Sequence, residues 1–170
     1  MNLQDLQTMI DYHYWARDRL LEALERLTPD QYVRDLGSSF KSIRETVTHI
    51  YAAEWAWYQR WQGESPTALL PSDRFADLAA LRAAWSEHEQ KMRTYVDGLG
   101  DGGVRRMVEY KLLSGHAGVS PVWQMVQHVV NHASYHRGQI TTLLMQQSRD
   151  PGVTDLFAML RQEATQASAR

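Results

Sequence analysis

The sequence predicts an all-α protein folded as a four-helix bundle. Two observations lead to this class: four long segments repeat apolar residues at every third or fourth position, and capping or helix-breaking residues bound each segment. The chain has 170 residues, of which 44% are hydrophobic, so it can bury one core, and we expect a single domain over residues 1–170. Amphipathic helices on one chain bury their apolar stripes most simply against each other.

The first predicted helix covers residues 3 to 27, and Thr28-Pro29 is expected to end it. Its inward line alternates spacings of three and four residues, as one face of a helix does. Two polar residues, His13 and Arg17, interrupt this line. The line consists of Leu3, Leu6, Ile10, His13, Arg17, Leu20, Leu24 and Leu27.

The second predicted helix covers about residues 40 to 62, and Gly63 and Pro66 are expected to end it. One line along it is polar, which places the apolar residues on the opposite, inward side. The polar line is Lys41, Arg44, Thr48, Gln59 and Gln62. The inward side is Ile43, Ile50, Ala53, Trp57 and Trp61.

The third predicted helix follows a linker that reaches to about residue 76, and it closes at Gly98. Its inward line is Leu78, Leu81, Trp85, His88, Met92 and Tyr95. The next segment, residues 100–118, is punctuated by glycine and alternates only in part. It predicts a loop or a short two-stranded hairpin.

The fourth predicted helix is the longest. Ser120 is expected to cap it and Pro121 to take its first position, since proline has no backbone N–H to leave unsatisfied there. The helix should run to about Gln147 and stop before Asp150-Pro151-Gly152. A short C-terminal helix from Thr154 completes the chain.

Charge and composition exclude several classes of partner. The net charge is −2 with mixed signs, so no basic face is available for a phosphate backbone and we expect no nucleic-acid partner. No run of about 18 apolar residues and no targeting segment is evident, which predicts a cytoplasmic protein with no membrane partner. Cysteine is absent, so any bound metal must be held by histidine and carboxylate.

Histidines concentrate in the fourth helix, in the run QMVQHVVNHASYHRGQI. His132 and His136 are four residues apart, which places their rings within about 40° of each other on the helix. Measured from the apolar centre of this helix, His136 lies about 40° away, His132 about 80° and His128 about 120°. On the second helix, His49 falls on the flank of the buried side.

These positions favour a metal site. Three neutral imidazoles from two helices suffice for a divalent first-row metal, and three protein ligands leave a position open for water or substrate. Zinc, nickel and iron all accept imidazole, and a carboxylate such as Glu45 or Glu54 would add a ligand. The alternative is a pair of hydrogen-bonded histidines, but the density of histidine is hard to explain by packing because buried imidazoles need partners.

Three segments resemble the DinB/YfiT-like superfamily: NHASYHRGQI, THIYAAEWAWYQRW and DYHYWARDRLLEAL. The resemblance implies a four-helix bundle of up-down-down-up topology and a homodimer. It also implies a metal ion held by His49 of the second helix and by His132 and His136 of the fourth. One departure is Arg17, which follows Trp15-Ala16 where members often have asparagine, and an arginine at this position is a candidate to face an anion instead.

The resemblance also implies a function. Relatives are similar to S-transferases and isomerases that use thiols, so the leading hypothesis is a metal-dependent enzyme that activates a low-molecular-weight thiol for transfer to a small-molecule substrate. Two alternatives stay open: a hydrolase that uses metal-bound water, and a metal-binding stress protein without turnover.

Other polar residues have structural interpretations at this stage. His13 and His88 are expected to be satisfied core histidines rather than ligands. His128 either bonds a carboxylate beside the metal or faces solvent, and Glu45 is more simply a solvated residue than a partner of His49. Arg137 should pair with a buried carboxylate or, less simply, bind an anionic substrate. The cluster Trp55, Trp57 and Trp61 is expected to form core and interface surface.

Overall fold

A computed structural model describes residues 1–168, without the side chain at position 101, and confirms the predicted all-α class. The only sheet in this part of the chain is one two-stranded hairpin. None of its helices combines the length and apolar character needed to cross a membrane. The elements are α1 (Leu3–Leu24), α2 (Pro29–Val33), α3 (Ile43–Trp61), α4 (Leu78–Asp97), α5 (Gly100–Val104), β1 (Met107–Lys111), β2 (Ala117–Pro121), α6 (Val122–Gln146) and α7 (Leu156–Ser168).

The four long helices, α1, α3, α4 and α6, pack in a ring. Helix α1 lies against α4 and α6, and α3 lies against the same two helices, so each long helix has two main neighbours. The interior contains large side chains with almost no exposure, among them Leu6, Tyr14, Trp85 and Ile140. This arrangement places α3, which carries His49, directly beside α6, which carries the other predicted ligands.

The first helix ends earlier than predicted. Helix α1 stops at Leu24, and Thr28 begins a new element instead of ending an old one. The Thr28 hydroxyl accepts a hydrogen bond from the Gln31 backbone N–H, and Pro29 takes the first position of the short helix α2. The Thr-Pro pair is therefore an N-terminal signal here, as proline at the first helical position often is.

The start of α3 also differs from the prediction of about residue 40. The Ser42 hydroxyl accepts the Glu45 backbone N–H, which fixes the first turn at Ile43. The predicted polar line is wrong at Thr48, which is buried at 2% exposure. On the predicted inward side, Ala53 and Trp57 are only partly buried.

The glycine-punctuated segment forms the hairpin that was one of its two predicted structures, preceded by the short helix α5. Strand β1 pairs antiparallel with β2, from Met107 with Pro121 to Lys111 with Ala117. The prediction that Ser120 caps α6 is wrong, because Ser120 lies within β2 opposite Val108 and the extended Pro121 occupies the N-cap position. The hairpin therefore leads directly into α6.

Candidate metal centre

The structure brings together the three histidines that the resemblance selected. The Nε2 atoms of His49 and His132 are 3.3 Å apart, and those of His132 and His136 are 3.0 Å apart. One ligand nitrogen from each residue lies within 4.8 Å of the other two, a grouping that could hold a metal ion. The spacing of four residues on α6 and the direct packing of α3 on α6 together produce this convergence.

The nitrogen separations fit a common cation. With metal–nitrogen bonds of about 2.0–2.1 Å, two adjacent ligands are about 2.8–3.0 Å apart on an octahedral ion and about 3.3–3.4 Å apart on a tetrahedral one. Both observed separations, 3.3 and 3.0 Å, lie in these ranges. At these separations two of the Nε2 atoms can share a proton in a hydrogen bond, whereas a cation would accept a lone pair from all three.

Two consecutive side-chain hydrogen bonds fix the orientation of His136. Its Nδ1–H donates to Gln139 Oε1 at 2.7 Å, and Gln139 Nε2 donates to the Ser39 hydroxyl at 3.1 Å. Because Nδ1 holds the proton, Nε2 of His136 presents a lone pair toward His132. An outer partner of this kind sets the tautomer and strengthens a ligating histidine.

The imidazoles of His49 and His132 are held neutral. Burial, and then the neighbouring His136, lower the pKa of His49 to about 4. Burial, followed by His136, His49 and His128, lowers the pKa of His132 to about 3. A neutral imidazole is the form that binds metal, so protons compete weakly for these two nitrogens at neutral pH.

Phe40 covers one side of the centre. Its ring stacks on that of His49 with centroids 4.2 Å apart, and its edge meets His136 at 5.5 Å. Ser39, the residue before it, is the one bonded to Gln139. Neither residue is predicted from the sequence, because both lie in the irregular segment before α3, where no periodicity indicates which side chain turns inward.

We expect Gln139→Leu to weaken metal binding by about 10- to 100-fold, because His136 loses the acceptor that fixes its tautomer. The measurement is a competition titration against a coloured chelator. Gln127→Leu, an exposed position on the same helix, is the matched control and should bind like wild type. Equal affinity in both variants would show that Gln139 does not support the centre.

Neither of the two carboxylates suggested as extra ligands belongs to the group of three histidines. No hydrogen bond joins Glu45 to His49 among the described residues. The suggestion that Glu54 joins the site is wrong, because Glu54 is 1% exposed and its two oxygens are already bonded. It accepts hydrogen bonds from Tyr14 at 2.6 Å and Trp85 at 2.7 Å.

Glu54 forms the centre of a second buried group, the Glu54 cluster, which consists of Glu54, His13, Tyr14, Trp85 and His88. His13 Nε2 lies 2.8 Å from Glu54 Oε2, and His88 Nε2 lies 3.7 Å from Oε1. Burial alone would raise the pKa of Glu54, but His13, His88 and the Tyr14 hydroxyl together lower it to about 2. His13 and His88 are therefore core residues beside a carboxylate, and among described groups His13 Nδ1 and His88 Nε2 have no hydrogen-bond partner.

Arg17, whose place in the first helix suggested an anion site, already has partners. Its Nη2 lies 2.6 Å from Glu89 Oε2 and 2.8 Å from Asp18 Oδ1. The guanidinium also lies over the ring of Tyr14. Arg17 therefore stabilises the contact of α1 with α4 and does not approach the three-histidine group.

Arg137 lacks the carboxylate partner that was its first expected role, and His128 takes the solvent-facing one of its two expected roles. Arg137 is buried but donates to the Tyr12 hydroxyl at 2.9 Å and to the Ser134 hydroxyl at 2.7 Å, so a carboxylate is not its partner among the described residues. His128 is exposed, packs its ring against Trp57 and makes no hydrogen bond to a described carboxylate.

Comparison with known proteins gives two findings. The model of the DinB family matches residues 1–167. The chain is also similar to the protein named Protein DinB of Bacillus subtilis (strain 168), with 25% identity over 163 residues that cover 86% of this chain and 88% of that protein.

Proposed function

Because this chain belongs to the DinB family, we propose that it is a metal-dependent enzyme in which His49, His132 and His136 hold one divalent transition-metal ion. The observation that carries this proposal is the convergence of the three Nε2 atoms at separations suited to one cation. Zinc, nickel and iron are the candidates, since imidazole suits each of them.

We propose that the reaction is the transfer of a low-molecular-weight thiol to a small-molecule substrate. With three neutral protein ligands, a bound ion would keep its full charge and an open position, and would lower the pKa of a thiol or water molecule there. Phe40 and the buried faces of α3 and α6 exclude water from one side of the three histidines. The chain has no cysteine, so the thiol must come from a separate molecule.

Cobalt substitution tests the thiol proposal. We expect a cobalt-loaded protein to show a new sulfur-to-cobalt charge-transfer band and altered d–d bands when a cellular thiol such as glutathione or cysteine is added. The S-methyl derivative of the same thiol, which cannot become a thiolate, is the control and should leave the spectrum unchanged. A spectrum that no cellular thiol alters would contradict the proposal and favour the hydrolase.

The same spectra distinguish an enzyme from a non-catalytic protein. A thiol or water can join the ion only where the protein leaves a position open, so a closed shell of four protein ligands would remove the physical basis for catalysis. Within the described residues, the histidine group supplies three ligands and no carboxylate.

We further propose a homodimer, on the basis of the family resemblance alone. The aromatic side chains of α3 were a second reason to expect one, but two of them pack within the chain. Trp61 is 4% exposed and stacks on Tyr95 at 5.3 Å between ring centroids. Trp57 meets the edge of Tyr110 at 5.2 Å.

A further inference from the structure

A largely apolar cavity of about 410 Å³ lies where the end of α1, the short helix α2 and the start of α4 meet. Leu24, which is 2% exposed, joins its wall to the hydrophobic core, and Leu27 and Leu78 continue that wall outward. Small-molecule sites are typically concave and mostly apolar, with volumes of about 300–1,000 Å³ and a few polar groups that fix orientation. None of the three histidines lines this cavity, so it is separate from the candidate metal centre.

Helix α2 forms one wall of the cavity without a core of its own. Two reciprocal hydrogen bonds between Thr28 and Gln31 fix its first turn, and Gln147 Nε2 donates to the Gln31 carbonyl at 3.2 Å. None of its five residues is buried, however, and its two large apolar side chains, Tyr32 and Val33, both line the cavity. Val33 is 50% exposed. An apolar occupant would therefore remove from water a surface that the chain alone leaves uncovered.

The charged side chains around the cavity already have partners within the chain. The Arg82 guanidinium lies 2.9 Å from the Glu25 carboxylate. Arg44 donates to a backbone carbonyl at 2.8 Å, and Asp77 accepts a backbone N–H at 2.8 Å at the start of α4. Two cations and two carboxylates leave no net charge in the wall, so nothing there would replace the hydration that a charged ligand loses.

The Tyr32 hydroxyl is the polar group of the wall that is left for a ligand. It makes no hydrogen bond within the described residues, although its side chain is partly buried. Burial raises the pKa of Tyr32 to about 12, while Arg44 opposes this rise and Asp77 adds to it. The hydroxyl therefore keeps its proton at neutral pH. A partly buried donor without an acceptor is unfavourable, and an oxygen of the ligand would satisfy it.

We infer that this cavity is a second ligand site, and that it takes an uncharged, largely apolar small molecule with one acceptor oxygen, such as a carbonyl, for the Tyr32 hydroxyl. The apolar part packs on the leucine wall and on Val33. The inference goes beyond the proposed function and does not depend on it, because no candidate metal ligand lines the cavity.

The test compares three ring compounds of nearly the same shape by ligand-observed NMR titration of the full-length protein. Acetophenone has a carbonyl oxygen, ethylbenzene has none, and benzoate is an anion. We expect acetophenone to bind and benzoate to bind at least about tenfold more weakly, since its charge would have to leave water. Tyr32→Phe should weaken binding of acetophenone by about three- to tenfold, as the loss of one hydrogen bond does, and leave that of ethylbenzene unchanged. Added metal chelator should change none of these affinities.

A second pair of variants locates the site. Ala79 is exposed and lines the cavity, so the larger side chain of Ala79→Trp should fill it and abolish binding of both uncharged compounds. Ala80→Trp, at the next exposed position, which does not line the cavity, is the matched control and should bind like wild type. The inference would be overturned by absence of acetophenone binding, by benzoate binding as tightly as acetophenone, by an equal effect of Tyr32→Phe on acetophenone and ethylbenzene, or by binding that survives Ala79→Trp.

Discussion

Replacing His136 by alanine is expected to abolish metal loading of the purified protein. His136 is 7% exposed, its Nε2 is 3.0 Å from that of His132, and Gln139 fixes its orientation. Loss of an outer partner of a ligand weakens metal binding by about 10- to 100-fold, so loss of the ligand itself should exceed about 100-fold. Elemental analysis should find about one ion per chain in wild type and a small fraction of that in the variant.

Thermal unfolding gives an independent measurement of the same effect. A metal that binds only the folded state raises its stability by about 2.7 kcal/mol when the free ion is at 100 times its Kd. Added zinc should therefore raise the Tm of wild type and of the control His116→Ala, which replaces an exposed histidine in the hairpin turn, and chelator should reverse the rise. The Tm of His136→Ala should not respond. A variant that keeps its metal and its response would show that the three histidines are not the ligands.

Part of this site follows from the sequence by geometry alone. The four-residue spacing of His132 and His136 on a strongly periodic helix predicts two rings on one face, and the structure shows their nitrogens together. His49 is different, because helix periodicity shows only which face a residue occupies, and the partner of α3 is set by tertiary packing. The family resemblance supplied that long-range information.

The rest of the site depends on irregular backbone. Phe40 and Ser39 precede α3 in a segment with no repeat, so their contacts with His49 and Gln139 arise only once the chain is folded. The errors at Thr28 and Ser120 have a local cause: each residue type caps helices, but Thr28 begins a helix of five residues and Ser120 is held in a strand pair.

Helix geometry could have corrected the suggestion about Glu54. Five residues separate it from His49, which turns the two side chains about 140° apart on α3. The useful signal was that His13, His88 and Glu54 are titratable residues on inward faces of three different helices. Because buried charges need partners, three such residues are expected to contact one another. In the Glu54 cluster they do.

The second large effect is expected at Glu54, which should matter for stability and not for metal loading. Three groups from α1 and α4 lie within 2.8 Å of its oxygens: His13, Tyr14 and Trp85. Glu54→Ala leaves these polar groups buried without their acceptor, a change that typically destabilises by about 3–5 kcal/mol. Urea unfolding should show this loss, whereas Glu45→Gln, a partly buried carboxylate on the same helix, should change the free energy of unfolding by less than about 0.5 kcal/mol.

The dependence of this stability on pH identifies the carboxylate as its source. The pKa of Glu54 is about 2 in the folded protein against an ordinary value of 4.5, so the unfolded chain takes up the proton first as the pH falls. Its contribution is complete above about pH 4.5 and disappears toward pH 2. The pKa of His88 is lowered by burial, which removes further stability below about pH 6.5. Glu54→Gln should therefore lose less stability than wild type between pH 4.5 and 2, and parallel curves for the two proteins would show that the Glu54 charge does not hold α1, α3 and α4 together.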